Sequence, residues 1–398
     1  CWMGMPYSEA SYTATAVERA MKVQEVLLRA MSGELQWWEA AEIIGVTDRT
    51  MRRWRERLVE HGYEGLFHRQ RGQPSPKRIP LQTLEQVLHL YREQYMDFNA
   101  RHFHEKLEEV HDLHLSYTWV KLALQGAGLV AARRRRAAHR QRRPRRPLPG
   151  MLLHIDASTH RWLAGEGWYD LLVILDDATS QIYYAQLVEQ ESTRTVLAAL
   201  REVVGKHGAF CALYSDRASH FFVTEKGSGK VDRRSQTQVG RALAELGIEA
   251  IAAYSPQARG RSERNFGTWQ GRLPQELRIR GIQEVEAANH FLRAEYMAEF
   301  NRKFSVAAER AGSAFVKTAR QDLEWIFSLQ HSRKVNRDNT VVLENQVFQI
   351  EHTRWRNTLA GCTVTVHELL DGTIAIRYGP HLVGRYDAQG HPLGRAQK

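Results

Sequence analysis

Met151-Leu152-Leu153-His154-Ile155-Asp156 is a short apolar run that stops on an acid, and the same grammar returns twice downstream. Trp168 to Leu175 ends in Asp176-Asp177, and Phe210 to Tyr214 ends in Ser215-Asp216. Gln181 to Leu187 and Ile248 to Tyr254 read as two further strands. Between them, Thr195, Val196, Ala199, Leu200 and Val203 recur at helical spacing within Ser192 to Lys206. Thr237 to Leu246 is a second helix, and a long third one starts near Ser262. Three strands, helix, strand, helix, strand, helix is a mixed α/β layout, interrupted by a Gly/Lys/Ser-rich insertion at Thr224 to Asp232.

That layout gives the acids a meaning. Strand ends meet at one edge of a sheet, so Asp156, Asp216 and Glu263, the last near a helix start, can converge. Converging carboxylates repel one another unless a cation lies between them. Hard oxygen ligands select Mg²⁺ or Mn²⁺. Two such ions, about 3.5–4 Å apart, can clamp the attacking and leaving oxygens of a phosphodiester. A lone strand-end Asp is ordinarily a turn or cap residue, and Asp176-Asp177 is read that way. Glu263 alone would merely complement a helix dipole. The set of three, in this order on this strand pattern, favours chemistry.

Working outward, residues 12–72 read as helical. Ala41, Gly45, Val46, Met51 and Trp54 have the small, turn and apolar spacing of a helix-turn-helix, with Thr47 or Asp48 as cap. Its second helix would offer Arg49, Thr50, Arg52, Arg53 and Arg55 to a major groove. Pro74, Pro76 and Pro80 mark a linker, and a second helix-turn-helix-like unit is expected over 81–130. His102, His104, His111 and His114 fall on different helix faces, with no cysteine near, and read as packed or solvated residues. Residues 131–149 form an arginine-rich linker carrying Arg133, Arg134, Arg135, Arg136, Arg140, Arg142 and Arg143, expected to track DNA phosphates. At the other end, β-prone runs between turns over 335–388 predict a small β-barrel.

Composition agrees with a DNA-acting chain. The 398 residues carry a net charge of +11. Residues 1–150 hold 25 Lys and Arg against 17 Asp and Glu, and nine arginines fall within Arg133 to Arg146 alone. Basic character concentrated in segments is the electrostatic footprint of nucleic-acid binding. The longest apolar run near the middle, Leu171 to Leu175, is far short of the roughly 20 residues of a spanning helix. Cys1, Cys211 and Cys362 have no paired spacing, which excludes a disulfide framework and a four-cysteine zinc site. With no basic-then-apolar leader, a cytoplasmic, nucleoid-associated protein is expected, with no membrane partner.

His154-Ile155-Asp156, Tyr214-Ser215-Asp216 and Ser255-Pro256-Gln257-Ala258-Arg259-Gly260-Arg261-Ser262-Glu263-Arg264 resemble the three motifs of DDE transposases and retroviral-type integrases. The closer resemblance is to bacterial insertion-sequence transposases of the ISNCY family. It extends over about 15–385, and Asp156-x-Ser-x-His-x-Trp-Leu at 156–163 reinforces it. The resemblance implies a multidomain chain: all-α helix-turn-helix domains, an α/β RNase-H-like core over 150–310, and a C-terminal barrel. It implies that Asp156, Asp216 and Glu263 hold two Mg²⁺ (or Mn²⁺) ions for DNA cleavage and strand transfer. It implies as partners the double-stranded terminal inverted repeats of an element and a target DNA, held by a homodimer or larger assembly. Arg259, Arg261 and Arg264 flank the glutamate as DNA-binding candidates. The positions one and two turns after it are Gly267 and Gln270, which makes Arg264 and Arg272 the candidate basic substitutes. Two alternatives stay open: a domesticated, non-catalytic DNA-binding regulator, which would need only residues 12–147, and a plain metal-dependent nuclease.

Overall fold

Gly45 and Thr47 set the tight turn between the second and third helices. In the computed structural model Gly45 takes the left-handed conformation, φ 74°, and ends α2 (Trp37–Ile44). Thr47 then caps α3 (Asp48–His61), its hydroxyl accepting from the Thr50 N–H. Helix α1 (Ala14–Met31) closes a three-helix core in which Leu27, Ala40 and Met51 are fully buried. The structure describes residues 13–67, 79–132, 143–165, 167–224, 230–232, 234–254, 256–318, 322–350, 352 and 355–393, with the backbone alone at 256–259. The chain divides into two compact units, residues 1–84 and 85–398. Among the described residues no helix is long and apolar enough to cross a membrane.

The second unit opens within α4 (Leu81–Gln94) and continues into α5 (Ala100–Glu109) and α6 (Tyr117–Gly126). Asn99 and Ser116 cap the latter two by accepting from the N–H three residues on. Val87, Phe103, Leu107, Val120 and Leu124 are fully buried between them. Each α5-region histidine has its own partner: His102 bonds Glu276 at 2.6 Å, His104 the Leu115 carbonyl at 2.7 Å, His111 the Tyr95 hydroxyl at 3.0 Å, and His114 pairs with Asp112. They are packing and surface residues.

The central sheet is built from β1 (Leu153–His160), β2 (Tyr169–Asp176), β3 (Ile182–Val188), β4 (Ala212–Ser215) and β5 (Glu249–Ala252), in the order β3-β2-β1-β4-β5. The first three are antiparallel neighbours; β4 pairs parallel with β1 and with β5. Alternation along each strand feeds two layers. Leu153, Ile155, Leu172, Ile174 and Leu213 face one side, under α7 (Thr193–His207) and α8 (Gln238–Glu245). Leu171, Val173 and Leu175 face the other, under α9 (Pro256–Gln270), α10 (Leu273–Ile279), α11 (Val285–Phe291) and α12 (Met297–Phe304). Trp269 of α9 is fully buried there and stacks on Phe300 of α12, centroids 4.2 Å apart. Burying such a ring is worth roughly 4–6 kcal/mol of transfer free energy. Asn289 and Asn301 turn their amides onto edge strand β3, each bonding both the N–H and the carbonyl of one residue, Leu187 and Ile182.

Two boundaries differ from the sequence reading, and both move an acid. Strand β1 does not stop at Asp156; it runs on to His160 because β2 pairs with it along its whole length. Helix α9 starts at Pro256, not Ser262, so Glu263 sits mid-helix. A proline at the first helical position has the right φ and lacks only an N–H that would go unused.

The C-terminal part forms an open four-stranded antiparallel sheet, β11-β10-β9-β6, and a separate hairpin, β7-β8. The strands are β6 (Leu329–Lys334), β7 (Thr340–Leu343), β8 (Gln346–Gln349), β9 (Thr363–Glu368), β10 (Ile374–Tyr378) and β11 (His381–Tyr386), with a short α13 (Leu323–Ile326) before them. They share one core that includes Val341, Phe348, Val366 and Ile376. Among the described residues no closed barrel is found. The hairpin pairs only with itself, and β6 and β11 remain the two edges of the sheet.

Candidate active site

The pairing of β1 with β4 sets the first two acids side by side. Leu153 is matched with Leu213 and His154 with Tyr214, and continuing that register sets Asp156 level with Asp216. Neighbouring strands lie about 4.8 Å apart. Leu153, Ile155 and Leu213 face the α7 layer, so the alternating residues His154, Asp156 and Tyr214 face the α9 layer. The His154 and Tyr214 rings meet there, 5.2 Å between centroids. Asp156 is buried and accepts from the Ala157 N–H at 3.1 Å; Asp216 is half-buried and accepts from the Ala218 N–H at 3.0 Å.

Helix α9 runs alongside β1 in the same direction, pinned at two points. Arg261 donates to the Asp177 carboxylate, which also takes the His154 Nε2–H at 2.8 Å. Gln270 donates from Nε2 to the Ser158 hydroxyl at 3.0 Å. Nine helical steps cover about 13.5 Å, and the four strand steps from His154 to Ser158 cover about 13 Å. The two elements therefore keep pace, and Glu263, two residues past Arg261, lies level with His154–Asp156. Its side chain is exposed. Among the described residues no three His, Cys, Asp or Glu side chains are gathered closely enough to share a metal ion. The structure thus puts Asp156 on β1, Asp216 one residue past the end of neighbouring β4, and Glu263 on α9, and among the described residues it does not close the three into one ligand set. Asp156 and Asp216 are carboxylates, hard oxygen donors of the kind a divalent cation of the Mg²⁺ type takes.

Asp177 is the residue whose part the sequence reading missed. Asp176 is a turn residue, accepting from the Gly150 N–H and from the Thr179 N–H and hydroxyl. Asp177, fully buried, accepts instead from His154, Arg143, Arg261 and the Arg146 N–H. Arg145 donates to the Asp177 and Ala178 carbonyls and to the Ser180 hydroxyl. Burial alone would raise the Asp177 pKa. The hydrogen bonds from His154 and Arg146 and the charge of Arg261 outweigh it and hold the carboxyl well below the usual carboxylate range. One signal was available: a second acid after the turn acid, in a chain with arginines on both flanking segments.

The other candidate residues fall into three groups. On α3, Arg49, Arg52, Arg53 and Arg55 are exposed. Arg52 is paired with Asp48 at 3.0 Å, and Arg55 lies over the Trp37 ring. Thr50 is half-buried, its hydroxyl 2.9 Å from that of Thr47. Arg143 and Arg261, expected on DNA phosphates, are engaged with Asp177, while Arg264 is exposed on α9. Arg272 is buried in a two-pronged bond with Glu105, so it is no substitute for a basic residue facing DNA. Arg133, Arg134, Arg135, Arg136, Arg140, Arg142 and the Arg259 side chain lie outside the described residues.

Comparison with known proteins bears on these features. Residues 50–124 match a family model described as a homeodomain-like domain. The chain is 34% identical over 367 residues to a putative transposase, y4bF, of Sinorhizobium fredii, covering 92% of this chain and 80% of that protein. It is 29% identical over 280 residues to the transposase for insertion sequence IS1202 of Streptococcus pneumoniae, covering 62% of this chain and 60% of that one. Among solved structures it matches the HTLV-2 integrase catalytic core domain in complex with magnesium, at 14% identity and TM-score 0.26, over 37% of this chain and 89% of that one. It also matches a simian T-cell lymphotropic virus intasome in complex with PP2A regulatory subunit B56 gamma, at 11% identity and TM-score 0.31, over 75% of this chain and 98% of that one. With a relative 34% identical over nearly its whole length, this chain belongs to the insertion-sequence transposases.

Proposed function

We propose that Asp156, Asp216 and Glu263 are the catalytic carboxylates of this transposase and hold two Mg²⁺ (or Mn²⁺) ions for DNA cleavage and strand transfer. The observation that supports this reading is the parallel pairing of β1 with β4, whose register, continued past the end of β4, sets Asp156 level with Asp216, with Glu263 on the helix that follows β5. Bound divalent cations supply Lewis-acid stabilisation of the charge that develops on phosphodiester oxygens. The chain's own residues supply position. In this reading β1 carries Asp156, the turn that leaves β4 carries Asp216, and α9 carries Glu263 with its side chain exposed. Arg264, exposed next to Glu263, is placed to bind a phosphate.

Binding precedes that chemistry. In this reading α3 enters a major groove of the element's terminal inverted repeats through Arg49, Thr50, Arg52, Arg53 and Arg55. Arg52 exchanges its Asp48 partner for a phosphate. The segment holding Arg133 to Arg142 follows the backbone. Two ends joined in one complex require at least a homodimer, and a substrate of chromosomal DNA places the protein with the nucleoid.

The test uses the whole chain with Mg²⁺, labelled duplexes from the DNA flanking its gene, and a supercoiled plasmid. Nicked ends and joined products are expected from the parent and neither from Asp216→Asn, which should still bind the ends. Cleavage by Asp216→Asn at the parent rate would overturn the assignment.

A further inference from the structure

Asp177 joins three segments that are far apart in sequence. His154, on its Oδ1, lies two residues before Asp156 in β1. Arg261, donating to the same oxygen, lies two residues before Glu263 in α9. Arg143 and the Arg146 N–H come from the segment that enters the core from its N-terminal side. The Arg261 guanidinium completes the knot by donating to the Asp177 and Arg143 carbonyls, at 3.0 and 3.1 Å. Asp177 itself is fully buried, and its N–H is held by the Leu152 carbonyl.

We infer that Asp177 is a positioning residue of the transposition reaction: through His154 and Arg261 it clamps β1 to α9 and so fixes the separation of Asp156 and Glu263. This rests on the proposed role of those two acids. A helix lying on a sheet slides along its ridges at small cost. Its apolar contacts set its depth against the sheet, through Phe266 and Trp269. Its axial position rests on polar pins, Arg261 near the middle and Gln270 at the C-terminal end. The Arg261 pin is the nearer to Glu263 and carries a full charge against a buried carboxylate. A guanidinium engaged by Asp177 is not free for DNA, so Arg143 and Arg261 serve the site by holding it.

The test uses the full chain and Mn²⁺ as the probe, titrated by calorimetry without DNA, beside end binding by gel shift and thermal melting. Partners that orient metal ligands typically carry about 10–100-fold in affinity. Arg261→Gln, on the half-buried side of the clamp, should weaken Mn²⁺ about tenfold or more with end binding and melting close to the parent. Arg261→Lys should recover part of that loss. Asp177→Asn should weaken Mn²⁺ at least as much. Asp156→Asn is the control for the underlying reading: unchanged Mn²⁺ affinity there would overturn the carboxylate assignment and the clamp with it. Weakened Mn²⁺ in Asp156→Asn with parental affinity in Arg261→Gln would overturn the clamp alone. Loss of end binding in Arg261→Gln with parental Mn²⁺ affinity would do the same, since it would make Arg261 a DNA-binding residue.

Discussion

Glu276 on α10 is 1% exposed, and its carboxylate takes hydrogen bonds from His102 at 2.6 Å, from Lys106 at 2.7 Å and from Arg280. His102 and Lys106 belong to α5, so one acid bolts the α4–α6 helices to the core. Burial lowers the His102 pKa despite the acid beside it, and Lys106 is the ion-pair partner of Glu276 on α5. Replacing Glu276 by Gln keeps the shape and one acceptor but strands the buried Lys106 ammonium. Stranding one member of a buried pair costs about 3–5 kcal/mol. The retained amide oxygen and the outward freedom of Arg280 place this case at the lower end. At about 2–4 °C per kcal/mol for a unit of this size, the loss of about 3 kcal/mol corresponds to about 6–12 °C in melting temperature.

The pH dependence follows with a definite sign. Burial alone would raise the Glu276 pKa, but the bonds from His102 and Lys106 hold it well below its ordinary value of 4.5. A carboxyl depressed in the folded state stabilises above its unfolded pKa, and the gain is lost as pH falls below it. The gap between parent and Glu276→Gln should therefore be full at pH 7 and shrink steadily below pH 4.5. Thermal unfolding followed by circular dichroism across that range measures it. Glu276→Leu combined with Lys106→Met should cost less than Glu276→Gln, because no charge is left stranded. A gap under about 1 kcal/mol at pH 7, or one that does not narrow in acid, would refute the reasoning.

Two other outcomes test the DNA-facing half. Arg49→Ala with Arg53→Ala should weaken end binding and lower the slope of log affinity against log salt by about one for each phosphate no longer neutralised, measured by fluorescence anisotropy at several salt concentrations. Gly45→Ala should destabilise the three-helix unit by about 1 kcal/mol in urea unfolding, because a Cβ there meets nothing within 4 Å and only the φ of 74° is strained.

The core was legible because strand alternation and helical spacing are local signals. The fate of individual charges was not, because it depends on what the fold brings near. Asp176 and Asp177 look alike in sequence; one closes a turn, the other meets arginines 34 residues before it and 84 after it. Arg272 looked available for DNA until α5 placed Glu105 against it. At the C-terminus the strands over 363–378 stood out by their Val and Ile runs. Strand β6, Leu-Gln-His-Ser-Arg-Lys, is too polar to announce itself and is made a strand by pairing with β9. It forms one edge of the sheet, opposite β11. The first two acids were found by their strands, whereas the extra helical turns before Glu263 were hidden by a proline that reads equally as a loop residue.

The two asparagines on β3 bear on how copies of this protein can meet. An edge strand with open amides and carbonyls invites another sheet to extend it, which is a route to strand exchange and to insoluble fibres. Asn289 and Asn301 satisfy Leu187 and Ile182 from within the same chain, near the two ends of that edge. A partner strand arriving there would have to expel two fitted amides before gaining a single ladder bond. A second copy of this chain is thereby hindered from extending the sheet at these two positions of β3.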